Sequence, residues 1–346
     1  MTVDIIMPCY YSNEIIRPAF EMIANQTAIK NITLIIVNDC SPNTDCEYQD
    51  IIKEYSDRIK IHYFKTETNC GPGCAKQFGL DNAVSDLVLF HDDDDTLYDI
   101  YSVENLLKVF DTYKLETVCE VIGQLQIINR NNQIVSCCSS ANHQGKIYNR
   151  KFLQDNNIHY EKDLSFKEED GLFQTLISLK QFEYKSVYID DIIYCKYVAR
   201  NHISITERSS MIDSFLAMFG LKVYPLYYIL TDEEKIDLSL VKDISLDAIS
   251  YIPLLLRNLK FSLEKFNFRL STKQYKLICK YIDIYNKFLQ TYTINIFTIP
   301  VNDLRMNTLA VFDFDSFFGE FDINIIYQFN DSYLKWLNEL KELIED

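Results

Sequence analysis

Only eight glycines and one tryptophan occur in 346 residues. The chain therefore has little flexible punctuation, and it contains no internal repeat, low-complexity linker or obvious hinge. Basic residues are also short. Fifty acids against 34 lysines and arginines give a net charge of -16, which argues against duplex nucleic acid or another polyanion as the main partner. An anionic ligand must then be held locally, through a metal or a few placed cations. No apolar run approaches the roughly 18 residues of a membrane span. Met1-Thr2-Val3-Asp4-Ile5-Ile6-Met7 leads directly into a strand with no basic leader, so the expectation is a cytoplasmic, soluble protein with no transmembrane segment. Ten cysteines lack regular spacing, which predicts reduced, mostly buried thiols rather than a disulfide framework. Neither Cys40 with Cys46 nor Cys70 with Cys74 has the two-residue spacing of a zinc knuckle.

A hydrophobic content of 48% with 24% charged residues is that of a globular protein, long enough for one large or two ordinary domains. The 24 tyrosines and 22 phenylalanines are read mainly as core, with some tyrosine surface available to sugars or interfaces.

The chain is organised around Val88-Leu89-Phe90-His91-Asp92-Asp93-Asp94-Asp95, an apolar run ending in four carboxylates. The apolar part reads as the end of a buried strand. Four adjacent like charges repel, so they need solvent or a cation, and hard oxygen ligands suit magnesium, manganese or calcium. In an extended chain Asp92 and Asp94 point one way and Asp93 and Asp95 the other. A solvated acidic turn is the plainer alternative. An EF-hand loop counted from Asp92 is the poorer reading, with no Gly at its sixth position and no Glu at its twelfth.

Strand and helix alternate four times before this point. Val3 to Met7, ended by Pro8, is a buried strand, and Ile15, Ile16, Ala19, Phe20, Ile23 and Ala24 follow at helical spacing. Ile32 to Val37, Ile59 to Phe64 and Val88 to Phe90 are the next strands. The intervening segments are Tyr48 to Tyr55 and, after the turn Asn69-Cys70-Gly71-Pro72-Gly73, Cys74 to Ala83. Such alternation predicts a doubly wound parallel sheet with its ligand site at the carboxyl ends of the strands.

Those strand ends carry motifs that resemble the nucleotide-binding half of family 2 glycosyltransferases, which have the GT-A fold. Pro8-Cys9-Tyr10 and Asn25-Gln26-Thr27 stand where the family has its opening Pro-x-Tyr and its first helix end. Asn38-Asp39-Cys40-Ser41 matches a strand ending in Asp-Gly-Ser. Asn69-Cys70-Gly71, Ala75-Lys76-Gln77 and Gly79 match the family's glycine- and arginine-bearing helix start, and Asp92, Asp94 and Asp95 match its Asp-x-Asp-Asp. Two departures stand out: Cys40 replaces a glycine, which matters if that position needs positive φ, and Lys76 replaces an arginine, keeping charge but losing the planar fork. Further on, Glu120 to Asn129, Gln133 to Cys137 and Val187 to Val198 read as strands. Glu169, Asp170 and Phe173 match the family's acidic pair at a helix start, whose plainer reading is an acidic first turn.

The resemblance covers about the first 60% of the chain. It implies a GT-A fold, with a mostly parallel sheet flanked by helices, in a catalytic domain over 1–210. Residues 211–346 are read as a mostly helical region for acceptor binding or homo-oligomerisation, ending in an amphipathic helix with Leu334, Leu337, Leu340, Leu343 and Ile344. The implied activity is metal-dependent, inverting transfer of a sugar from a nucleoside diphosphate donor, expected to carry uridine, to an acceptor hydroxyl on a glycan, protein or other molecule. Pro8, Tyr10, Asp39, Asn69, Gly71, Lys76, Asp92 and Asp93 would bind the nucleotide sugar, with Asp39 accepting the uracil ring N–H. Asp92, Asp94 and His202 would hold Mn2+ or Mg2+, although a lone His is more often structural. Asp170 is the expected base, with Glu169 orienting the acceptor.

A sugar-nucleotide nucleotidyltransferase would need a Gly-rich, basic loop after the first strand, and Tyr10 to Glu14 has neither. A catalytically silent sugar- or nucleotide-binding subunit would have no use for the Glu169-Asp170 pair.

Overall fold

Every residue of Val3–Cys9 and of Ile32–Asn38 is buried, because aliphatic side chains on both faces of a strand require a layer on each side. The computed structural model describes residues 1–42, 44–129, 131–139, 142–164, 167–181, 183–197, 211–232, 269–291 and scattered positions from 236 to 265. It divides into two compact units, Met1–Arg208 and Ser209–Asp346.

The first unit is built on a nine-stranded sheet. Its strands are β1 (Val3–Cys9), β2 (Ile32–Asn38), β3 (Lys60–Lys65), β4 (Leu87–Phe90), β5 (Thr96–Leu97), β6 (Val118–Ile128), β7 (Ile134–Ser139), β8 (Lys146–Asn149) and β9 (Lys185–Tyr197). Their order is β3-β2-β1-β4-β8-β6-β9-β5, with β7 paired to β6. The flanking helices are α1 (Arg17–Ala24), α2 (Asp45–Tyr55), α3 (Pro72–Asp81), α4 (Ser102–Thr112), α5 (Arg150–Asp155) and α6 (Glu169–Lys180).

The four strands expected from the alternation are mutually parallel. Beyond β4 the sheet is mixed: β8 enters antiparallel to both β4 and β6, while β9 runs parallel to β6. The parallel half that the alternation predicts is thus joined to a mixed half. β1 also runs past its expected end at Pro8, which pairs opposite Val37. Pairing with β4 ends at Ile6, so the N–H that proline lacks breaks no ladder bond on that side.

The two faces of the sheet serve different ends. Val3, Ile5, Met7, Leu87 and Leu89 pack with Phe20 and Ile23 of α1, Tyr48 and Ile51 of α2 and Leu106 of α4 into the main core. On the other face, a Cβ at Gly79 of α3 would collide with Ile6 Cγ2, so glycine lets that helix lie directly on β1. Phe90, the last residue of β4, makes edge contacts with Tyr160 and Phe173 at 5.3 and 5.6 Å between ring centroids. Tyr160 and Phe173 stack at 4.4 Å. This aromatic cluster fixes the start of α6 over the end of β4, which positions the site.

In the second unit the helices Met211–Thr231 and Thr272–Thr291 pack together, with Phe219 and Tyr224 against Tyr281 at ring centroid distances of 5.2 and 5.8 Å. Against the expectation that no segment nears a membrane span, Ile212–Thr231 is 20 residues long and passes by length and composition. Asp213 and Lys222 interrupt it, so no unbroken apolar run marks it in the sequence. The core helix of a protein has the same length and composition, and more than half of this helix's apolar stretch is buried. The expected terminal helix with Leu334 to Ile344, and the segment Arg200 to Thr206 with His202, lie outside the described residues.

Candidate functional site

Asp39, immediately after β2, is 3% exposed. Its Oδ1 accepts from Thr66 Oγ1 at 3.0 Å and from the Cys70 N–H at 2.9 Å, and its Oδ2 accepts from the Gly71 N–H at 2.8 Å. The carboxylate thus ties the loop before α3 to the end of β2, while Oδ2 keeps room for one more donor. The helix begins with Pro72 at its first position and Gly71 before it, at φ 89° and ψ 163°. That conformation is open essentially to glycine alone. Gly71→Ala is expected to lower stability by about 1–3 kcal/mol and to loosen this loop; urea unfolding checks it, and an unchanged midpoint would show the loop to be tolerant. Cys40, standing where the family has glycine, does sit at positive φ, 56°. Asn69 is exposed on this loop.

The same turn carries a correction. Cys70 and Cys74 form a disulfide, with Cα atoms 5.6 Å apart, because the turn at Gly71 folds Cys70 over the first turn of α3. Nor are the remaining thiols mostly buried: Cys9, Cys119 and Cys195 are, whereas Cys46, Cys137 and Cys138 are exposed.

At the end of β1, Pro8 is buried and Tyr10 is 40% exposed. The Tyr10 backbone and the Ser12 side chain lower the pKa of the Asp93 carboxyl, but burial and then Asp94 and Asp92 push it up to about 8. Asp95 is buried and accepts the Tyr197 N–H at 2.8 Å, so it anchors the acidic turn to β9. Asp92 receives Gln144 Nε2 on Oδ2 at 3.0 Å, and its N–H donates to Tyr194 OH at 3.0 Å. Asp94 shares the turn and is half-buried. Among the described residues no three His, Cys, Asp or Glu side chains form a ready metal cage. Ions of the magnesium class need only one or two carboxylates and take further oxygens from water and substrate phosphates. Crowded carboxylates at Asp92 and Asp94, with Asp93 driven towards its neutral form, suit such a cation.

The third group lies across α3 and α6. Lys76, only 2% exposed, places Nζ 2.7 Å from Asp170 Oδ1 and 3.2 Å from Glu169 Oε1. Burial works against its charge, but Asp170, Glu169 and Asp92 outweigh it and hold the ammonium above its ordinary value. His143, also 2% exposed, sets Nδ1 2.8 Å from Asp170 Oδ2. Its Nε2 lies 3.2 Å from Asp92 Oδ1, off the hydrogen-bond direction. Burial opposes the charge of His143 too, yet Asp170 and Asp92 lift its pKa to about 9. Burial alone would raise the Asp170 carboxyl; His143 and Lys76 overcome that and hold it well below the usual range. Glu169 is instead raised, by burial against the pull of Lys76.

The structure therefore brings Lys76, Asp92, Glu169 and Asp170 into one cluster, and places Asp39, Gly71 and Asn69 in a separate loop group. Tyr10 and Asp93 lie between the ends of β1 and β4. Lys76, expected at the nucleotide, contacts the acidic pair. Both members of that pair reach it, although consecutive helical residues diverge by about 100°. His143 and Gln144 carried no signal, being ordinary polar residues in a segment whose only mark was its position between strands.

Residues 4–161 match the family model described as Glycosyl transferase family 2. The poly(ribitol-phosphate) beta-N-acetylglucosaminyltransferase TarS of Staphylococcus aureus is 26% identical over 192 residues, 50% of this chain and 32% of that protein. An uncharacterized glycosyltransferase of Haemophilus influenzae is 34% identical over 93 residues, 27% of this chain and 36% of that one. The chain thus spans about a third of the length of these curated relatives. S. aureus TarS 1-349 in complex with UDP-GlcNAc aligns at a TM-score of 0.55 and 18% identity, over 84% of this chain and 81% of that one. A mannosyltransferase, PcManGT, from Pyrobaculum calidifontis in complex with GDP-Man and Mn2+ aligns at 0.51 and 14% identity, over 84% and 83%. The fold shared with these structures is GT-A.

Proposed function

We propose, from the match of residues 4–161 to the model of Glycosyl transferase family 2, that the chain moves a sugar from a nucleoside diphosphate donor, a UDP-sugar, to an acceptor hydroxyl with inversion. The observation that carries this reading is Asp170: a buried carboxylate held ionised by Lys76 and His143, within the same cluster as Asp92 of the acidic turn.

A sugar hydroxyl is a weak nucleophile, and Asp170 takes its proton as the new glycosidic bond forms. Lys76 and His143 keep that carboxylate ionised, and Glu169 orients the acceptor. Asp39 receives the uracil ring N–H on the free position of Oδ2, while Gly71 and Asn69 line the nucleotide and the Tyr10 backbone and Ser12 fix Asp93 beside it. Asp92 and Asp94, with His202 as the expected third ligand, would hold Mn2+ or Mg2+. The ion supplies positive charge that offsets the negative charge on the departing diphosphate.

Calorimetric titration with UDP tests the nucleotide and metal halves together. Binding is expected with Mn2+ present, to weaken at least tenfold in excess EDTA, and to lose its metal dependence in Asp94→Ala while the thermal melt stays unchanged. Equal affinity with and without chelator would remove the metal from the account, and Asp39→Ala binding UDP as tightly as the parent would remove the uracil contact.

A further inference from the structure

We infer that a cleft between α6 and strands β8, β6 and β9 is a subsite for a polyhydroxylated ligand, a sugar or polyol unit of the acceptor next to the one that reacts. That the ligand belongs to the acceptor rests on the glycosyl-transfer reading; that the cleft binds a polyol does not.

The cleft has a volume of about 570 Å³, and its walls include Glu120, Lys146, Gln174, Ser178, Ser186 and Tyr188. It is an open cleft whose volume lies within the range of small-ligand sites. Lys146 is 2% exposed, yet among the described residues no hydrogen bond or ion pair reaches its ammonium. Burial of the side chain depresses its pKa against the pull of Glu120 and Asp170, while the ammonium is not among the fully buried unpartnered atoms and so opens onto the cleft. A ligand oxygen in the cleft would satisfy it. Glu120, 3% exposed, accepts from Ser186 Oγ at 2.8 Å on Oε1 and from Gln174 Nε2 at 2.7 Å on Oε2, so each oxygen retains an acceptor position. Unfilled donors and acceptors on adjoining walls match hydroxyl groups, which both donate and accept.

Two further features point to a carbohydrate. Tyr188, 68% exposed at the cleft, offers an aromatic ring with a polar tip where a sugar face can rest. Asp170, Gln174 and Ser178 recur every four residues along α6 and so share one face of the helix. The cleft thus begins about 6 Å, four residues of rise, from the proposed base.

Saturation-transfer NMR with millimolar sorbitol, glucose, N-acetylglucosamine and glucuronate, with and without saturating UDP, tests the assignment. At least one is expected to receive saturation, to keep it when UDP is added, and to bind at least tenfold more weakly to Lys146→Met and measurably more weakly to Tyr188→Ala. The exposed Tyr188 side chain carries no core packing, so that variant decides the matter if Lys146→Met fails to fold. The inference is overturned if none of the four binds, if UDP displaces the signal, or if neither substitution changes it. Calorimetry with UDP on the same samples separates the two readings: a parent that takes up a polyol but no UDP breaks the transferase proposal and leaves the subsite standing.

Discussion

Asp170→Asn is expected to bind UDP and Mn2+ nearly as the parent does and to lose roughly 100-fold or more in turnover, the scale of general base catalysis. The substitution keeps shape and removes only the charge that accepts the acceptor's proton. Lys76 retains Glu169 as a partner, so the cluster need not open. The environment sets two carboxylates apart: Asp170 is held low by His143 and Lys76, while Glu169 is raised by burial. A carboxyl with a raised pKa is the stronger base, so Glu169→Gln is the informative partner variant. If Glu169→Gln is inactive and Asp170→Asn turns over normally, the two roles are exchanged. If both stay active, the cluster is not the catalytic centre.

Lys76→Met is expected to destabilise the protein by about 3–5 kcal/mol, because it leaves buried Glu169 without its cation and Asp170 with His143 alone. The side chain is 2% exposed and its ammonium lies within 3.2 Å of both Glu169 and Asp170, so water cannot replace it cheaply. The point charge of lysine suits this position, reaching two carboxylates at once where a planar fork would favour one. Urea unfolding of Lys76→Met and of Lys76→Met with Asp170→Asn checks the cause. The double variant should recover part of the loss, since one of the carboxylates that Lys76 offset is then gone; a double variant less stable by the full sum of the two single losses would mean the ion pair is not the reason.

What was legible in the sequence was what local chemistry dictates. The mainly aliphatic runs of β1 and β2, the acidic end of β4 and the Glu169-Asp170 start of α6 announce themselves within a few residues, and the parallel half of the sheet follows from the alternation of strand and helix. The mixed half did not. β8 is four residues with a lysine and an asparagine at its ends, yet it is fully buried, and only its antiparallel insertion between β4 and β6 gives it that place. His143 and Gln144 owe their roles to the same insertion, since Asp92, some 50 residues earlier, is what they meet. The Cys70–Cys74 bridge has no mark in the spacing of a zinc knuckle; its signal is a four-residue separation straddling a helix start. Pro8 reads as a strand end because proline lacks a donor, a rule that lapses where the neighbouring ladder has already stopped.

The central claim is tested most directly by diphosphate release from a panel of UDP- and GDP-sugars with Mn2+, comparing parent, Asp170→Asn and Glu169→Gln. The parent is predicted to release UDP from at least one UDP-sugar, to slow sharply in excess EDTA, and to lose roughly 100-fold or more in rate on substitution of Asp170. No release above buffer from any of the nucleotide sugars, or a rate unchanged in both variants, would contradict it.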